Sequence, residues 1–91
     1  MDEYDPIEYP IDGILDLHTF RPNEVKDLIP EYLSACREQG ILQVRIIHGK
    51  GSGTLKRTVQ AILQRISEVS SFHPAGEEAG GWGVTMVTLK P

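Results

Sequence analysis

The chain has one cysteine, Cys36, among its 91 residues. That excludes an internal disulfide and a metal site built from several thiolates. No apolar stretch approaches the roughly 18 residues of a membrane-spanning helix. The acidic first residues lack the basic-then-apolar order of a secretory signal. The expectation is a cytoplasmic protein with no membrane association, and a lone thiol suits a reducing compartment. Internal repeats and low-complexity tracts are missing too, so a chain of this length reads as one small domain.

Charge of one sign is missing from two segments. The first sixteen residues hold Asp2, Glu3, Asp5, Glu8, Asp12 and Asp16 with no lysine or arginine. Residues 39–67 hold Arg45, Lys50, Lys56, Arg57 and Arg65 with no acid. The net charge of −4 disfavours a polyanion partner on its own, but local patches steer polyanions. A solvated helix face beside an acidic tail produces the same split, so charge needs a second signal.

What is present is periodic. Residues 1–13, with two prolines and no period, read as an acidic N-terminal arm, and the domain proper as 14–91. "ILDLH" (14–18) alternates as a strand, with Leu15 and Leu17 on one face and Asp16 and His18 on the other. Val25, Leu28, Ile29, Tyr32, Leu33 and Cys36 follow at helical spacing, opened by Pro22, closed by Gly40, and with Pro30 expected to kink the helix. "ILQVRIIH" (41–48) is a nearly continuous apolar run, the pattern of a strand covered on both sides. Leu55, Val59, Ile62, Leu63, Ile66 and Val69 mark a second helix. "SSFHPA" is a weakly signalled strand, and "WGVTMVTLK" a final one. A strand–helix–strand start makes the first two strands parallel. The fold class is therefore α/β, a two-layer sandwich of a small mixed sheet and two helices.

Parallel strands end at one edge, and ligands collect at such edges in open α/β sheets. Asp16, His18 and His48 meet there as catalytic candidates. Two histidines can divide general base and general acid work near neutral pH, and Asp16 can orient His18. On RNA the base would take the 2′-hydroxyl proton; on DNA water would have to be activated. Gly49, Gly51 and Gly53 allow close backbone approach and feed a helix N-terminus, which favours an anion. Ser52 or Thr54 would cap that helix and contact phosphate, and Lys50, Lys56 and Arg57 would hold it. Arg21, just past the first strand, lies near the same edge.

The glycine spacing matches neither a Walker A loop nor G-x-G-x-x-G. The donor types Asp16, His18 and His48 leave open a divalent cation, magnesium or manganese, but their spacing is not that of a resident metal site, so no cofactor is required. His73 reads as a surface strand-end residue. Trp82 reads as packing, with base stacking as the alternative.

"LDLH" (15–18), "HGKG" (48–51) and "GGWGVTMVTL" (80–89), in this order, resemble the Smr (small MutS-related) domain family from Ile14 to Leu89. The resemblance implies a βαβαββ sandwich similar to the C-terminal domain of a translation initiation factor, nucleic-acid binding, and nicking or endonuclease activity on DNA or RNA. It places the family's acid and histidines on Asp16, His18 and His48, and its glycines on Gly49 and Gly51. Many members follow the first motif with glycine; here Thr19 and Phe20 follow, and the turn beside His18 is expected to differ.

Two readings of different class result: an endonuclease, and a non-catalytic DNA- or RNA-binding module using the same surface. The partner is nucleic acid in both. A protein partner is not readable from the sequence.

Overall fold

A computed structural model describes residues 11–18, 20–49, 53–75 and 83–91. Its elements are β1 (Ile14–Asp16), α1 (Pro22–Glu38), β2 (Gln43–Ile47), α2 (Thr54–Gln64), β3 (Val69–Pro74) and β4 (Val84–Leu89). They form a four-stranded sheet in the order β1-β2-β4-β3. β1 pairs β2 in parallel with Leu15 beside Ile46. β2 and β3 each pair antiparallel with β4, and a register shift separates Val69 from Ser71. Among the described residues, no helix is long and apolar enough to cross a membrane.

Alternation decides which side chains enter the core. Leu15 and Leu17, Val44 and Ile46, and Val87 and Leu89 are all buried and share one cluster with the apolar stripes of α1 and α2. Burying each such side chain contributes on the order of 1.5–3 kcal/mol. β2 was expected to be covered on both sides, but it alternates: Val44 and Ile46 are buried, Arg45 and Ile47 half-buried, and Gln43 exposed. The β-branched run therefore reflects strand propensity as much as burial.

α1 runs unbroken through Pro30, an exposed position. Pro30 removes the N–H that would bond the carbonyl four residues earlier, on Lys26, and both residues are exposed. Gly40, with φ +79°, ends the helix. Ile41 N–H reaches back to Cys36 O at 2.8 Å and Gly40 N–H to Arg37 O at 3.0 Å, the paired bonds of a left-handed helix stop.

α2 ends at Gln64, short of the expected Val69. Ile66 packs on the core from the turn and Val69 from β3. A spacing of three residues (63, 66, 69) fits a helix face equally well, which is why the pattern overran. β3, six residues like "SSFHPA", begins one residue earlier, at Val69, and ends at Pro74.

Residues 1–10 of the acidic arm lie outside the described residues. Its last residues are tied to the body. The buried Tyr32 hydroxyl accepts the Gly13 N–H at 3.1 Å and donates to Ile14 O at 3.1 Å, and Arg45 N–H donates to Gly13 O at 2.7 Å. Burial pushes the Tyr32 phenol up to about 12, so it stays protonated.

Candidate functional site

β1 and β2 run parallel, so Leu17-His18 and His48-Gly49 leave the sheet at the same edge. Asp16 closes β1 and folds back onto the residue two places on. Its Oδ1 accepts the His18 backbone N–H at 3.0 Å and lies 2.7 Å from His18 Nδ1, an aspartate turn with the ring drawn in. A carboxylate only accepts, so Nδ1 carries the hydrogen, and in the neutral ring Nε2 is the acceptor. The His18 side chain is 70% exposed and that of Asp16 45%. The His18 backbone N–H, then its ring, hold the Asp16 carboxyl below its ordinary value.

His48 is placed differently. It follows Val44 and Ile46 on the core-facing side of β2, and it is 6% exposed. Its Nε2 lies 2.9 Å from Thr85 Oγ1 and its Nδ1 3.2 Å from Gly49 O. Burial lowers its pKa from the ordinary 6.5; the Gly49 carbonyl opposes that and the Lys56 charge adds to it. The ring is therefore neutral at neutral pH.

The expected meeting of three side chains is thus divided. Asp16 and His18 join on the face of the sheet away from the helices, and among the described residues no hydrogen bond links either to His48. The physical reason is strand parity: Leu15 and Leu17 take the core side of β1 and leave His18 outward, whereas His48 is itself in the core-side series of β2.

The glycine turn begins on a tight backbone contact. His48 N–H and Gly49 N–H both donate to Gly83 O, at 2.8 and 3.1 Å. A Cβ on Gly83 would stand 3.2 Å from the Gly49 carbonyl carbon, so only glycine fits without displacement. Gly49 has φ +82° and Gly53 φ +90°. Gly53 is the N-cap of α2, and Thr54 is already helical; the expectation for Ser52 lies outside the described residues.

Arg57 is exposed and Lys56 half-buried; the Lys56 charge is felt at His48, which puts the basic start of α2 beside the turn. Arg21, exposed, is the N-cap of α1, its N–H donating to Glu24 Oε1 at 2.8 Å. Lys50, Gly51, Ser52, Thr19 and Trp82 lie outside the described residues. His73 is an exposed β3 residue next to the strand's end.

Among the described residues, no three His, Cys, Asp or Glu side chains cluster as metal ligands. Asp16 and His18 offer two donors. Sequence reasoning assigned no role to Gly83 or Thr85. The signal for Thr85 was a polar residue in the inward series Thr85, Val87, Leu89.

These features define a small mixed α/β sandwich that gathers an exposed carboxylate–histidine pair, a glycine turn and a basic helix start at the carboxyl edge of its parallel strands. The chain belongs to the Smr domain family, whose model matches residues 15–90. Over 76 residues, 84% of the chain, it is 37% identical to Endonuclease MutS2 of Halothermothrix orenii and 40% identical to that of Staphylococcus saprophyticus. The match spans 10% of the length of each of those relatives. The crystal structure of the Smr domain of Thermus thermophilus MutS2 agrees with TM-score 0.82 at 34% identity, over 87% of this chain and 99% of that one. YdaL, a stand-alone small MutS-related protein from Escherichia coli, agrees with TM-score 0.80 at 26% identity, over 92% and 69%.

Proposed function

We propose that this domain binds nucleic acid and cuts its phosphodiester bonds at the Asp16–His18 edge. The observation that carries the reading is an exposed histidine, oriented by a carboxylate, at the same strand edge as the turn that leads into the basic start of α2. Similarity to proteins named as endonucleases supports it. The α2 N–H groups, the turn from Gly49 to Gly53, Lys56, Arg57 and Arg21 hold phosphates; His48 supports the turn from the core side.

With Nδ1–H on Asp16, His18 Nε2 is the base. On RNA it takes the 2′-hydroxyl proton as that oxygen attacks phosphorus. The bond to the 5′ oxygen breaks, and the departing oxygen takes a proton from solvent. The products are a 2′,3′-cyclic phosphate and a 5′-hydroxyl. On DNA the same nitrogen would deprotonate water; Asp16 would hold a magnesium or manganese ion, which would supply Lewis-acid assistance to that weaker nucleophile.

The test is cutting of matched single-stranded RNA, supercoiled DNA and branched DNA, with magnesium or with EDTA, beside a His18→Ala control. Loss of cutting in the control supports the enzyme. Equal cutting by parent and control would remove His18 from the reaction. The placement of His48 in the core, which leaves one exposed histidine at the edge, favours a second reading: a binding module without chemistry. Salt-sensitive binding with no cutting on any substrate would select it.

A further inference from the structure

Besides Tyr32 and Cys36, the buried set contains two polar side chains among the described residues, His48 and Thr85, and they contact each other. Buried polar groups are costly unless paired, so the hydrogens of this pair can be assigned. Gly49 O can only accept, which puts a hydrogen on His48 Nδ1. A second ring hydrogen would place a charge in the core beside Lys56. Nε2 is therefore a bare acceptor, and the Thr85 hydroxyl donates to it across 2.9 Å.

Thr85 is held in place by the ladder. It pairs with Ile46 in the β2–β4 register, which turns it to the core side two residues before His48. Gly83, two residues earlier on the same chain segment, takes both the His48 and Gly49 N–H groups on one carbonyl. The start of β4 thus grips the end of β2 twice, once through backbone and once through a side chain.

We infer that Thr85 is a positioning residue for the glycine turn: its hydroxyl holds the His48 ring in the Nδ1–H tautomer, and that ring in turn fixes the Gly49 carbonyl. The consequence for chemistry rests on the function proposed above. With both nitrogens engaged inside the fold, His48 exchanges no proton with substrate, and proton transfer falls to His18.

The first measurement needs no nucleic acid. Nitrogen-15 NMR of the full chain above neutral pH should show one imidazole, assigned by its loss in His48→Gln, with a protonated Nδ1 and a bare Nε2. A protonated Nε2 overturns the inference. Thr85→Val removes the hydroxyl at nearly constant shape, and Thr85→Ser keeps it. The valine variant should mix the two His48 tautomers, shift the Gly49 and Gly53 amide resonances, and weaken binding of a single-stranded oligonucleotide several-fold; the serine variant should restore all three. A folded valine variant with unchanged tautomer and turn amides overturns the inference. If that variant does not fold, the parent tautomer and the serine variant decide. A Thr85-dependent tautomer in a chain that binds no nucleic acid would uphold the inference and overturn the proposed function.

Discussion

His18 and His48 stand just past the ends of neighbouring parallel strands, yet they are opposite in kind. One is exposed and held by a carboxylate; the other is 6% exposed and held by a hydroxyl and a carbonyl. The difference is one residue of parity. On β1 the odd positions Leu15 and Leu17 face the core, so an even-numbered histidine faces out. On β2 the even positions Val44 and Ile46 face the core, so an even-numbered histidine faces in. Since strand side chains alternate without exception in an unbulged run, the same residue type becomes a reagent on one strand and a structural post on the next.

The largest expected effect separates the two. His18→Ala should reduce cutting by about 10²- to 10⁴-fold, the usual worth of a general base, with the melting temperature unchanged. His48→Ala should instead destabilise the fold by about 1–3 kcal/mol, because the Thr85 hydroxyl is left unpaired in the core. Urea titration beside the cutting assay reads both. Equal melting temperatures for the two variants would break the contrast.

Next in size is the close approach under the turn. Gly83→Ala places a methyl group 3.2 Å from Gly49 backbone, and overpacking of this kind costs about 1–3 kcal/mol. Denaturant midpoints should fall, and oligonucleotide binding should weaken with them. A variant as stable as the parent would mean the β4 start does not constrain the turn.

A smaller effect lies in pH. The folded-state pKa of His48 is depressed below 6.5, so the unfolded chain binds the proton first as pH drops. Stability is therefore full above about 6.5, declines below it, and levels off once pH is under the folded value. Asp16, also held low, adds a loss only under its ordinary 3.8. His48→Gln should remove the first decline and leave the second. Urea midpoints taken across this range provide the check, and a slope that survives the substitution would assign it elsewhere.

The smallest effect concerns binding alone. Arg57→Ala should lower the slope of log affinity against log salt by about 0.7–0.9, one phosphate contact, and leave the denaturant midpoint in place. An unchanged slope would take Arg57 off the interface.

Much of this protein follows from sequence because its determinants are local. The β1 alternation, the α1 stripe and the Gly40 stop need only neighbouring residues and the period of each element. So does the Asp16–His18 contact, made within one turn of chain. The helix end at Gln64 was not legible, since Ile66 and Val69 reach the core at a spacing that both a helix and a turn into a strand provide. Nor were the partners of His48. Thr85 is 37 residues away, and it meets His48 only because β4 inserts between β2 and β3 in antiparallel register. The sequence by itself determined which residue types gather at the strand edge and which elements carry them. Tertiary structure decided which histidine meets solvent, because that depends on which face of each strand the helices cover.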